Sequence, residues 1–102
     1  MDLVFDDRAL ADIESIYRWI AEDSPASAKI VVDRLFGSVE LLTSFPFMGH
    51  AGHDPETFEW VVPRLPYIVV YEVDQDRQRI IVVAVFHGSQ SREDNANPRG
   101  QI

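Results

Sequence analysis

In the first half of the chain, apolar residues recur at the spacing of two helices. A short apolar run at residues 3–5 predicts a strand, and Asp6-Asp7 follows it. One of these aspartates is expected to cap a helix, because its side chain can accept hydrogen bonds from free backbone N–H groups. Apolar positions then recur every three or four residues, at Leu10, Ile13, Ile16 or Tyr17, and Ile20. This spacing predicts an amphipathic helix.

A second, longer helix is predicted over residues 25–44. Ser24 can cap it, and Pro25 suits its first position, where the N–H would be unpaired in any case. Its apolar positions are Ala28, Val31 or Val32, Leu35, Val39 and Leu42. Gly37 costs about 1 kcal/mol relative to alanine inside a helix, and we interpret it as the mark of a close contact. The short link between the helices indicates an antiparallel hairpin.

After Phe45-Pro46 the periodicity changes to that of strands. Residues 46–56 contain prolines and glycines and are predicted to form a loop. Strands are predicted at residues 57–62, 67–73 and 79–86, and the last is apolar on both faces and therefore interior. Their connections are too short for a crossover, so they should pair antiparallel. The predicted fold class is α+β, in the order β-α-α-β-β-β, with an antiparallel sheet packed on an α-helical hairpin.

Charge and composition exclude several functions. The net charge is −8, from 17 acidic and 9 basic residues, so we expect no direct sequence-specific binding to nucleic acid. The absence of cysteine excludes disulfides and cysteine nucleophiles. The N-terminus lacks the pattern of a secretory signal, and the longest apolar run, Ile80–Phe86, is far shorter than the roughly 20 residues of a membrane span. We therefore expect one cytoplasmic domain without membrane contact.

The loop contains one candidate metal motif. His50, His53 and Asp54 offer imidazole and carboxylate ligands suited to zinc or nickel. Their spacing is loose and no further ligand is evident, so a solvated loop is favoured. We expect no metal and no other cofactor.

Four side chains are candidates for contact with a macromolecular target: Arg64, Tyr67, His87 and Arg92. Arg64 lies in a turn and Arg92 follows the last strand, where exposure to solvent is the simpler interpretation. Tyr67 is expected to pack in the core with its hydroxyl at the rim. His87 could act as a general acid or base, although a hydrogen bond that orders the strand end is favoured.

Four segments, in this order and at this spacing, resemble the RelE/ParE toxin superfamily: Ala9–Tyr17 leading into Trp19–Pro25, Leu42–His50, Leu65–Tyr71 and Val83–Gly88. The second resembles the family pattern leucine-x-x-phenylalanine-proline-x-x-glycine-arginine. The resemblance implies a toxin domain over residues 1–92, followed by a polar tail at 93–102. It also implies a growth inhibitor of a type II toxin–antitoxin system, neutralised by an antitoxin encoded beside it.

The superfamily includes ribosome-dependent mRNA endonucleases, like RelE, and inhibitors of DNA gyrase, like ParE. In RelE-like members an arginine supplies charge at the position that Ile68 occupies here. Others of the group use a terminal histidine–tyrosine pair, of which only the histidine is present, in His87-Gly88. The resemblance therefore favours gyrase as the target, with His87 as the catalytic candidate if the chain is instead a ribonuclease.

This chain also departs from the ParE pattern. His50, Phe58 and Gln90 stand where arginines are usual. A retargeted or weakened toxin, or an inactive module that only binds an antitoxin, is therefore an alternative. A homodimer is possible. Because the chain is acidic, we predict that the toxin-binding arm of the antitoxin is basic or strongly apolar.

Overall fold

The computed structural model describes residues 1–89, which form a two-helix hairpin packed on a five-stranded sheet. The elements are β1 (Asp2–Phe5), α1 (Asp7–Ala21), α2 (Pro25–Val39), a 3₁₀ turn (Glu40–Thr43), β2 (His50–Ala51), β3 (Thr57–Val61), β4 (Tyr67–Asp74) and β5 (Arg79–His87). The α+β class and the predicted element order are confirmed, with β2 as an additional short strand inside the predicted loop. Arg92, Gln90 and the expected tail at 93–102 lie outside the described residues.

The sheet has the strand order β1-β5-β4-β3-β2. Strands β2, β3, β4 and β5 pair antiparallel with one another, as their short connections require. Strand β1 instead runs parallel to β5, from Asp2 opposite Arg79 to Phe5 opposite Val82. The helical hairpin and strands β2–β4 lie between these two strands in the chain, so the connection is long enough for a parallel pair. Strand β5 is interior, as predicted, and β4 is the middle strand.

The core lies between the helical hairpin and one face of the sheet. Tyr67, Val69 and Tyr71 of β4 are buried on that face, in agreement with the predicted alternation. Helix α2 contributes Leu35 and Val39, which are also fully buried. No helix among residues 1–89 is long and apolar enough to cross a membrane.

The predicted buried face of α1 is confirmed at Ile13, which is buried, and at Ile16, which packs against the core. It is wrong at Leu10 and at the alternative Tyr17, which are 46% and 40% exposed. Both lie at one edge of the apolar stripe, because each residue turns the helix by about 100°. Packing against the sheet buries the other edge of the stripe, where the small side chain of Ala9 lies.

Three local predictions have different outcomes. Ser24 caps α2 as expected, since its hydroxyl accepts a hydrogen bond from the Ser27 N–H at 3.1 Å. Asp6 occupies the N-cap of α1, but its side chain makes no capping hydrogen bond. The prediction of a close contact at Gly37 is wrong, because a Cβ at this exposed position would meet no atom within 4 Å.

Candidate partner-binding site

The loop after the helices is fastened to the sheet by one buried tyrosine. The Tyr71 hydroxyl donates to the Pro46 carbonyl at 2.8 Å and accepts from the Gly49 N–H at 3.0 Å. Its ring stacks on Phe58, with centroids 5.4 Å apart. A Cβ at Gly49 would lie 2.7 Å from the Glu59 carbonyl oxygen, so only glycine allows this approach. These contacts explain why the phenylalanine-proline-x-x-glycine segment ends in glycine.

Tyr67 and His87, two of the four predicted site residues, lie together in a cleft. They are cross-strand partners on β4 and β5, and their rings meet edge to face with centroids 5.4 Å apart. Tyr67 is only 4% exposed, and burial raises the pKa of its phenol above the usual value. The cleft, of about 560 Å³, is lined by Arg8, Asp12, Ser15, Ile16, Trp19, Tyr67, Val85, Phe86, His87 and Ser89.

His87 orders the end of β5, as the favoured interpretation expected. The Ser89 N–H donates to His87 Nδ1 at 3.0 Å, and Ser89 Oγ lies 2.8 Å from the same nitrogen. Because Nδ1 accepts from a backbone donor, the neutral imidazole carries its proton on Nε2. The Gly88 N–H donates to the Pro66 carbonyl and fixes the following turn. His87 and Gly88 together therefore fix the end of β5 and the turn after it.

The other two predicted site residues do not join this cleft. Arg64 is exposed in the turn between β3 and β4, with a φ of 67°, and does not line the cleft. Arg92 lies outside the described residues. The sequence prediction missed Trp19, which lines the cleft although its side chain is 70% exposed. A tryptophan on the polar side of a predicted amphipathic helix was the available signal.

Helix α1 is held over the cleft by one long-range hydrogen bond. The Asp12 carboxylate accepts from the backbone N–H of Val85 at 2.9 Å. Arg8 lies 3.8 Å from the same carboxylate and is the one lysine or arginine among the described lining residues. The cleft therefore combines aromatic surface with a nearly balanced charge, which suits a protein surface better than a polyanion.

The opposite face of the sheet, on which Ile68 and Val70 lie, has a different character. It contains a groove of about 420 Å³, lined by Asp6, Arg8, His53, Asp54, Pro55, Thr57, Glu59, Val70, Glu72, Val83, Ala84 and Phe86. We call it the acidic groove. His53 and Asp54 line it, but residues 1–89 contain no group of three histidine, aspartate or glutamate side chains arranged to hold a metal ion.

A two-helix hairpin on one face of a mainly antiparallel sheet is the architecture of the RelE/ParE toxins. A structure of the chromosomal ParDE system from P. aeruginosa superposes with a TM-score of 0.74 at 20% identity, covering 85% of this chain and 95% of that one. A chain in the crystal structure of the intact E. coli RelBE toxin–antitoxin complex gives a TM-score of 0.64 at 19% identity, covering 87% of this chain and 98% of that one. At these identities the likeness establishes the fold alone.

Sequence comparison defines the family within that fold. The model described as the ParE toxin of the type II toxin–antitoxin system parDE matches residues 3–92. Y4kP, a Sinorhizobium fredii protein named as a toxin, is 32% identical over 83 residues, which are 81% of this chain and 83% of that protein. The chain belongs to the ParE toxin family, in agreement with the branch that the sequence favoured.

Proposed function

We propose that this ParE-family toxin inhibits growth by binding DNA gyrase, and that it does not cleave ribosome-bound mRNA. The observation that carries the proposal is the character of the sheet face on which Ile68 lies. Where RelE-like toxins would place a cationic arginine, this chain has an aliphatic side chain. The neighbouring surface is acidic rather than basic.

The acidic groove opposes RNA chemistry in two ways. Cleavage of RNA by its 2′-hydroxyl builds negative charge on the oxygens around the phosphorus, which a nearby cation must stabilise. The groove is lined by the acidic side chains of Asp54, Glu59 and Glu72, and an acidic surface opposes both that charge and the approach of the RNA backbone. A protein target carries no such dense negative charge, so an acidic surface does not prevent its binding.

The cleft supplies a contact surface for a protein target. Trp19, Tyr67 and His87 present aromatic rings there, and aromatic residues are common among those that dominate binding energy in protein interfaces. The exposed Trp19 is the natural anchor, because it has most apolar surface left to bury.

A cognate antitoxin is proposed as the second partner. The similar structures include a ParDE system and RelBE toxin–antitoxin complexes, one of them the RelBE2 complex from Mycobacterium tuberculosis. By this likeness, we expect a neighbouring gene to encode a protein that binds and neutralises this chain.

The proposal is tested by gyrase supercoiling with the purified chain. We expect inhibition, and Trp19→Ala should raise the concentration needed by about thirtyfold, as for loss of an interface residue worth about 2 kcal/mol. Ile30→Ala is the matched control, since Ile30 is 58% exposed on α2 and outside the cleft. Unchanged supercoiling at a saturating concentration of the chain would refute the proposal.

Ribonuclease activity is kept as a second candidate because His87 and Tyr67 share the cleft. It predicts codon-linked cuts in mRNA in translating extracts, lost in His87→Ala. Intact transcripts would eliminate it. A chain that leaves growth, supercoiling and transcripts unchanged but binds its antitoxin would be an inactive module.

A further inference from the structure

The acidic groove has an apolar floor with acids around it. Val70, Val83, Ala84 and Phe86 form the floor, on the sheet face away from the helices. The acids are Asp6, Asp54, Glu59 and Glu72. The groove has a volume of about 420 Å³, which is enough for a few side chains of a peptide segment. It is too small to receive a folded domain.

The charges lining this groove are not balanced within the described part of the chain. Asp6, Asp54 and Glu72 form no ion pair with any residue from 1 to 89. Arg8 also lines the groove, but its guanidinium already lies 3.8 Å from Asp12. The groove therefore combines negative potential with an apolar floor.

Lysine and arginine match both properties, because they carry an aliphatic stem and a cationic head. We propose that the acidic groove receives a lysine- or arginine-bearing segment of the cognate antitoxin; this inference rests on the proposed function. The stem would lie on Val70 and Ala84, and the head would reach Asp54 and Glu72. Charge complementarity of this kind favours the correct partner and speeds association.

The groove and the cleft share a wall, and this connects antitoxin binding to the target surface. Arg8 and Phe86 line both cavities. A segment seated in the groove therefore touches two residues that also form the cleft.

The test measures affinity between the full chain and the antitoxin encoded beside it, at low and high salt. For wild type, Kd should rise with salt, because exposed charge pairs are screened. The double variant Asp54→Asn with Glu72→Gln should raise Kd on the order of tenfold at low salt and reduce the salt dependence. The matched control is Asp23→Asn with Asp76→Asn, which removes the same net charge from exposed positions outside the groove.

Reversing the charge on each partner in turn tests whether Glu72 contacts the antitoxin directly. Glu72→Lys should weaken binding further, and changing the docking lysine or arginine of the antitoxin to glutamate should restore much of the loss. Wild-type affinity in the groove double variant, or an equal loss in the control, would overturn the inference and leave the proposed function intact. An altered self-association in place of altered antitoxin affinity would assign the groove to a second copy and also overturn it. A chain that binds no antitoxin would overturn this inference together with the proposed antitoxin partner, and the supercoiling assay would still decide whether gyrase is the target.

Discussion

Replacing Tyr71 with phenylalanine removes a single oxygen from the centre of the structure. This oxygen joins β4 to the loop after the helices, through the Pro46 carbonyl at 2.8 Å and the Gly49 N–H at 3.0 Å. Tyr71 is 0% exposed. Phenylalanine keeps the ring that stacks on Phe58, so the change isolates the two hydrogen bonds from the packing.

The size of the effect follows from those two bonds. A hydrogen bond contributes about 0.5–1.5 kcal/mol net, and a buried group left unpaired costs more than the bond alone suggests. Both backbone partners are only partly buried, so water can replace some of what is lost. We expect Tyr71→Phe to lower the free energy of unfolding by about 2 kcal/mol. For a domain of this size, the melting temperature should fall by roughly 8–16 °C.

Urea unfolding, followed by circular dichroism, measures this directly, and thermal melting gives an independent value. Tyr17→Phe is the matched control: Tyr17 is 40% exposed, and no hydrogen bond to it is formed within residues 1–89. Its effect should stay within about 0.5 kcal/mol. If the Tyr71 variant were as stable as this control, the hydroxyl would not fasten the loop and our account of the glycine motif would be wrong.

Three further results are expected. Gly37→Ala should raise the unfolding free energy by about 0.5–1 kcal/mol, because alanine favours the helix and the added Cβ meets no neighbour; destabilisation in urea would reveal a contact that the structure lacks. Gly49→Ala should lower it by about 1–3 kcal/mol, because its Cβ would meet backbone oxygen at 2.7 Å; a melting temperature equal to wild type would contradict that crowding. Burial raises the pKa of Tyr67 and Tyr71 in the folded chain, so their contribution to stability is complete below about pH 10 and lost as pH rises through the folded values. Unfolding measured across this range should show the decline, with less of it in Tyr71→Phe, and a flat profile would exclude the linkage.

Sequence alone determined those features that depend on near neighbours in the chain. Ser24-Pro25 starts α2 because a hydroxyl and a proline act within one turn. The alternation around Tyr67, Val69 and Tyr71 gave the buried face of β4, because successive side chains of a strand point to opposite faces. The four quoted segments indicated the toxin family, and the family model confirmed it over residues 3–92.

Only the tertiary structure decided which surfaces meet. It buried Ala9 and left Leu10, at the edge of the apolar stripe of α1, 46% exposed, because the fit against a twisted sheet depends on distant residues. It placed Trp19 beside Tyr67 and His87, from three elements spread across the chain. Strand pairing likewise gathered acids from separate segments into one groove. Periodicity records which side of an element is apolar, whereas a site arises from how several elements are oriented by the packing of the whole core.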